Sequence, residues 1–255
     1  LDRALALGFD GVVTGHYARL VENDGVVEMH RAEDHGKDQS YVLGVLTQDQ
    51  LRRSLFPLGD DPKSAVRAEA AERGLQVANK PDSHDICFIS DGDNAGWLED
   101  KLGAQPGLIV DETGAEVGSH SGAFAFTIGQ RRGLRLGVPA DDGKPRYVLD
   151  IEPVTRTVTV GPRERLAISR IEAIKPLWCG EAPTGELDCT VQLRAHGSEH
   201  RARVTVEGEQ VIVELHDPAE GIAPGQACVI YDRTRVVGSA TIARTEWVDP
   251  AIVAN

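Results

Sequence analysis

Apolar residues alternate with polar ones across most of the second half of this chain, in short runs cut by glycine, proline and aspartate. Period-two runs fall at residues 108–111, 123–128, 147–151, 157–160, 168–174, 187–193, 202–206, 211–215, 227–231 and 236–242. Successive side chains of a strand point to opposite faces, so runs this closely spaced predict a β-barrel or sandwich. The first third reads differently. Residues 2–7 carry helical spacing, with Gly8 placed just after the helix end. Residues 9–14 read as a buried strand with Gly15 past its carboxyl end, the place where open α/β sheets bind ligands. Residues 17–22 and 26–31 form a hairpin pattern around Asn23-Asp24-Gly25. Thr47 and Gln50 make a capping box for a helix running through residue 55. Asp61 caps a further helix that has Pro62 at its first position and Gly74 beyond its end.

The order of these patterns predicts an α/β segment over residues 1–90, a small central domain over 91–162 and an antiparallel β-barrel over 163–255. No apolar run reaches the length of about 20 residues that a membrane-spanning helix needs, so no membrane partner is expected. The four cysteines, Cys87, Cys179, Cys189 and Cys228, are scattered and form no CxxC pair. That excludes a disulfide framework and a cysteine zinc site, and it points to a reducing, cytoplasmic setting with no metal ligands. A net charge of −13, spread evenly along the chain, argues against a broadly basic nucleic-acid binder. Any RNA contact must rest on local cations.

Four local words carry candidate chemistry. In Asp82-Ser83-His84-Asp85-Ile86-Cys87-Phe88-Ile89 a cysteine sits where a polar loop meets apolar residues. A thiol there is within reach of solvent, and Asp82 and Asp85 oppose its ionisation by charge. A small buried hydrophobe is the ordinary reading of a lone cysteine. Cys179, Cys189 and Cys228 stand in or beside apolar runs and read as structural. In Thr14-Gly15-His16-Tyr17-Ala18-Arg19 the glycine admits close approach of a ligand and His16 can meet a phosphate or base, although a plain strand-to-hairpin turn fits equally. In Gly36-Lys37-Asp38-Gln39-Ser40-Tyr41, Lys37 offers a charge to phosphate while Asp38 and Gln39 can read base edges. A solvated loop is the bland alternative. In Thr127-Ile128-Gly129-Gln130-Arg131-Arg132-Gly133-Leu134-Arg135, a cluster of arginines runs against the overall acidity and suits phosphate contact. No GxxxxGK[ST] or GxGxxG phosphate cradle is present.

Taken together and in this order, TGHYAR, GKDQSYVL, DSHDICFI and TIGQRRGL resemble the bacterial tRNA-specific 2-thiouridylases, and the likeness continues through Pro224-Gly225-Gln226-Ala227. The resemblance implies an adenine-nucleotide-hydrolase-like ATP-pyrophosphatase domain, present in part, then a central domain and a C-terminal β-barrel. It implies ATP with Mg²⁺ as cofactor, tRNA as substrate, and a persulfide sulfur donor (a sulfur-relay protein or a cysteine desulfurase) as partner. By resemblance, Cys87 is the persulfide carrier, Gly15 contacts ATP, and His16, Lys37, Asp38, Gln39, Arg194 and Gln226 lie at the tRNA. The residue after that arginine is often aromatic in the family; Ala195 offers no stacking there. The family's SGGxDS loop and first cysteine, which forms a disulfide bond with the persulfide cysteine, would lie upstream of Leu1, so the chain is expected to be a fragment that is inactive alone. Two other readings remain open: a non-catalytic tRNA-binding module, and another ATP-pyrophosphatase-type synthetase.

Overall fold

The computed structural model describes residues 1–80, 94–137, 140 and 142–248. In chain order the elements are α1 (Asp2–Ala6), β1 (Val12–Val13), β2 (Ala18–Asn23), β3 (Val26–Arg31), α2 (Ser40–Leu43), α3 (Gln48–Leu51), β4 (Ser54–Leu55), α4 (Lys63–Glu72), α5 (Asn94–Leu102), β5 (Gly107–Val110), β6 (Glu116–His120), β7 (Tyr147–Glu152), β8 (Thr157–Gly161), β9 (Ala167–Trp178), β10 (Glu186–Gln192), β11 (Glu199–Glu207), β12 (Gln210–Glu220), β13 (Ala227–Asp232) and β14 (Arg235–Trp247). They gather into two compact units that do not follow chain order. One combines residues 1–80, 170–217 and 224–244; the other combines 81–169, 218–223 and 245–255.

The first unit is organised by a closed ring of strands in the order β13-β10-β11-β12-β9-β14, with β14 pairing back to β13. The β2–β3 hairpin extends the same sheet, because His30 of β3 pairs with Arg235 of β14. Its turn carries Asp24 and Gly25 at positive φ, the conformation that the Asn-Asp-Gly pattern predicts. Alternation along β11 and β12 buries Ala202, Val204, Val211 and Val213 inside the ring. A second apolar cluster joins Ala18 and Met29 of the hairpin to Leu43, Leu51, Val229, Tyr231 and Val236. Helix α2 lies close against β13: a Cβ on Gly44 would come within 2.9 Å of Val229, and the Tyr41 hydroxyl donates to the Ala227 carbonyl at 2.9 Å. The Gln48 side chain, on α3, bonds both backbone groups of Val27.

The remainder of the first unit departs from sequence expectation in three places. The strand expected over 9–14 is only Val12–Val13, paired in parallel with Ser54–Leu55, and Phe9 and Val13 are exposed. The capping box of Thr47 and Gln50 forms as expected, but its helix ends at Leu51. The backbone at 53–55 is taken by pairing instead: Val12 N–H donates to the Arg53 carbonyl and Thr14 N–H to that of Leu55. Helix α4 has Pro62, not Asp61, as its N-cap residue; the first helical N–H, of Lys63, is satisfied from outside by Asp34 Oδ2 at 2.9 Å.

The second unit holds a four-stranded sheet in the order β6-β5-β8-β7, with β5 and β8 parallel. Its core is Ile109, Ala123, Leu134, Val148, Val158 and Val160. The alternating run at 123–128 is not a strand. Residues Ala123–Ala125 form a 3₁₀ turn, with Phe124 over Gly122 and Phe126 against His120 and the same core. Among the described residues no helix is long and apolar enough to cross a membrane.

Candidate functional site

Three of the four words singled out in the sequence fall in described residues. Cys87 and its loop lie outside them. Gly15, His16 and Tyr17 leave β1 and enter β2. Gly15 is exposed; a Cβ there would meet only Leu58 Cδ1 at 3.7 Å, so packing does not demand a glycine. His16 Nδ1 shares a hydrogen bond with the Thr14 hydroxyl at 2.8 Å, and the ring stands edge-on to Phe56. Tyr17 is buried, and its hydroxyl has no partner among the described residues.

The Lys37–Gln39 loop is tied to this turn. Gln39 Oε1 accepts the Tyr17 N–H at 3.0 Å, while the Gln39 N–H donates to the Tyr17 carbonyl at 2.8 Å. The adjacent Asp38 faces inward, its side chain 7% exposed. Asp38 Oδ1 accepts the N–H groups of Ala32 and Ser40, at 3.0 and 3.2 Å, which closes the loop on itself. Asp38 Oδ2 accepts from the Ser40 hydroxyl and from Arg31 Nη1, each at 2.7 Å. Both oxygens are thus engaged within the protein, and the carboxylate works as the loop's anchor.

Arg31 extends that anchor into the barrel. Its guanidinium lies 3.6 Å from the Tyr231 ring centroid, and Nη1 also donates to Gln192 Oε1 at 3.1 Å. Nη2 stands 3.1 Å from Glu199 Oε1, an ion-pair distance without hydrogen-bond alignment. Gln192 Nε2 in turn donates to the carbonyls of Arg194 and Ala195, at 3.0 and 3.2 Å. The Tyr231 hydroxyl meets Ser40 Oγ at 3.1 Å, and burial pushes its pKa up to about 12, so it stays protonated. Arg194 is exposed in the turn after β10, and the register of β10 on β13 brings that turn to the barrel end where Gln226 precedes β13. Gln226 Oε1 is buried without a partner among the described residues. The structure therefore joins Asp38 to the Arg194 backbone through Arg31 and Gln192, while Gln39 is bonded to Tyr17 and His16, next to Tyr17 in sequence, bonds Thr14 instead. Sequence reading misses Arg31, Gln192 and Tyr231; the available signal is Gln192, a polar residue inside the apolar run at 187–193.

Arg131 and Arg132 are exposed in the second unit, on a loop built to hold them. Gln130 Oε1 accepts the Thr127 N–H at 3.0 Å and Nε2 donates to the Arg132 carbonyl at 2.9 Å. Backbone bonds between Gly129 and Val148 and between Val148 and Gln130 pin the loop to β7. Gly129 and Gly133 bracket it at positive φ, and Leu134 is buried behind it.

Comparison with known proteins bears on the whole arrangement. Family models match in succession: a tRNA methyl transferase HUP domain over residues 1–91, a tRNA methyl transferase PRC-barrel domain over 95–162, and an aminomethyltransferase beta-barrel domain over 168–242. A tRNA-specific 2-thiouridylase of Nocardioides sp. is 67% identical over 254 residues, covering 97% of this chain and 69% of that protein. The chain belongs to the tRNA-specific 2-thiouridylase family. Family members from Acidothermus cellulolyticus and Streptomyces coelicolor are 62% and 60% identical, each over 96% of this chain and over 68% and 66% of their own lengths. The chain thus spans about two-thirds of the length of these 2-thiouridylases. The expected fold, an α/β segment followed by a central domain and an antiparallel barrel, holds.

The three described cysteines of this 2-thiouridylase family member are free thiols, Cys179 and Cys228 buried and Cys189 half-buried. Burial pushes the thiol pKa of Cys179 up to about 11, and those of Cys189 and Cys228 up to about 12. A thiol so shifted is ionised at neutral pH to a fraction on the order of 10⁻⁴ or less, and the thiolate is the reactive form. At pH 7.5, iodoacetamide should therefore leave Cys179, Cys189 and Cys228 of the native protein unmodified and reach them only after denaturation. Peptide mass spectrometry after native labelling checks this; rapid carbamidomethylation of Cys228 would contradict it.

Proposed function

We propose that this chain carries the sulfur-bearing cysteine and much of the RNA-contact surface of a tRNA-uridine 2-sulfurtransferase, which replaces the C2 oxygen of the wobble uridine by sulfur. The observation that carries the reading is the 67% identity, over 97% of the chain, to a tRNA-specific 2-thiouridylase. Cys87 is proposed as the persulfide carrier. The burial of Cys179, Cys189 and Cys228, which raises their thiol pKa values, supports that assignment by disfavouring their thiolate forms.

ATP with Mg²⁺ supplies activation of the C2 oxygen, which is otherwise a poor leaving group. Once the C2 oxygen had displaced pyrophosphate from ATP and carried AMP, the terminal sulfur of a Cys87 persulfide would form the C2–S bond as the C2–O bond breaks and AMP leaves. A second thiol takes the remaining sulfur–sulfur bond, which leaves a disulfide with Cys87 and releases thiouridine. A thiol reductant would first return that disulfide to two thiols, and a sulfur-relay protein or a cysteine desulfurase would then transfer persulfide sulfur to Cys87. Gly15 is exposed and bears no side chain, which supports close approach of the nucleotide to its backbone. Gly15 alone is too little to hold a triphosphate, and the described residues are assigned no step of the nucleotide chemistry.

The contribution of the described residues is recognition. His16, Lys37 and Gln39 on one side, and Arg194 and Gln226 at the barrel end, are proposed to meet the tRNA, with Asp38 fixing the backbone of its loop. Arg131 and Arg132 are proposed phosphate contacts, supported by a loop that holds both side chains in solvent. Such contacts reconcile RNA binding with a net charge of −13, since counterion release depends on the cations at the interface.

In the full-length enzyme, Cys87→Ser should abolish thiouridine formation with added sulfide donor, while the same change at Cys179, Cys189 or Cys228 costs stability at most. Chromatography of digested tRNA reads the product; normal turnover by Cys87→Ser would sink the proposal. Replacing both Arg131 and Arg132 by alanine should weaken tRNA binding and flatten its dependence on salt, by roughly one unit of slope for each phosphate that is no longer neutralised. A filter-binding series across ionic strength that returns an unchanged slope would remove this loop from the interface.

A further inference from the structure

We propose that Arg31 and Gln192 are positioning residues that make the Lys37–Gln39 loop and the Arg194–Ala195 turn a single RNA-binding element. The proposal rests on the reading of those two segments as tRNA contacts. Arg31 and Asp38 are each 7% exposed, and withdrawing such a pair from water consumes most of the energy the pair returns. A buried ion pair is therefore a weak way to gain stability, and what this one fixes is geometry. The bonds beyond the pair end on the backbone of loops. Asp38 holds the N–H groups of Ala32 and Ser40, at the two ends of the Lys37 loop. Gln192 holds the carbonyls of Arg194 and Ala195, at the start of the barrel turn. Arg31 Nη1 touches both Asp38 and Gln192, at 2.7 and 3.1 Å, and so bridges the two sets of bonds.

The planar guanidinium suits that task. It lies against the face of Tyr231, itself held by Ser40, and sends one nitrogen toward both partners while another faces Glu199. A lysine ammonium would keep the charge but lose the fork and the stacking that set its direction. The two loops are separated by more than 150 positions in sequence, and this contact converts their independent motions into one. Binding of RNA across both loops then costs less ordering than it would on two loops that move separately.

The test is a double-mutant cycle in the full-length enzyme, with the tRNA dissociation constant as readout. Gln192→Leu removes the link while leaving the Arg31–Asp38 pair intact. It should weaken tRNA binding about fivefold, the worth of roughly one net hydrogen bond, with the KM for ATP held and a lowered melting temperature that still leaves the protein folded at the assay temperature. Arg194→Ala should weaken binding by a similar factor. The double variant should be no weaker than Arg194→Ala alone, because the link acts through that turn. Arg31→Lys, combined with Arg194→Ala in the same way, should reproduce the non-additivity and guards against a Gln192→Leu protein that does not fold. Effects that multiply in both cycles would overturn the coupling while leaving the RNA-contact reading in place. If Arg194→Ala and Lys37→Ala each bind tRNA as the parent does, the contact reading itself fails and the coupling falls with it.

Discussion

Arg31 sits in a position that a folded chain fills only at a cost: a guanidinium sealed between a carboxylate, an aromatic face and a carboxamide. The interaction matters because of what lies at its ends. Asp38 belongs to a loop that follows the β2–β3 hairpin, and Gln192 belongs to a barrel strand. The ion pair at 2.7 Å and the hydrogen bond at 3.1 Å therefore join two parts of the chain that sequence order sets far apart. The low dielectric that makes the pair expensive also makes it directional, since little water competes for either partner.

The apolar packing around the network gives it a fixed frame. The hairpin adds to the barrel sheet through β14, and Met29, Leu43, Val229 and Tyr231 share one core. Gly44 permits α2 to approach β13, and Gly59 lets its own turn lie against the Ala18 carbonyl where a Cβ would come within 2.0 Å. These close approaches hold α2 against β13 and the Gly59 turn against the hairpin, on either side of the loop at 32–40 in sequence, before any polar contact is counted. Polar bonds then choose among the few arrangements that packing allows.

Much of this is legible in the sequence, and for physical reasons. Period-two runs identify the barrel strands because each strand has one face inside the ring, as Val204 and Val213 show. The Asn-Asp-Gly turn and the Thr47–Gln50 capping box can be read because both are local chemistry. The departures arise where packing partners override the local pattern. The run at 123–128 alternates like a strand, yet Phe124 folds over Gly122 while Phe126 packs on His120 and on the core that includes Ile109 and Val148. The helix after Thr47 stops at Leu51 because β4 pairs with a segment some forty positions away. At the candidate site, the contact words are visible as words, but the residue that connects them is not. Arg31 closes a strand and looks like an ordinary surface cation until Asp38, Gln192 and Tyr231 are brought around it.

Two loops remote in sequence acting as one surface for RNA is the central claim. Hydrogen exchange of the protein, followed by mass spectrometry with increasing tRNA, addresses it most directly. Amides in 36–40 and in 194–197 should gain protection together, with the same half-saturating tRNA concentration. Protection that develops in one of these segments while the other exchanges as in the free enzyme would contradict it.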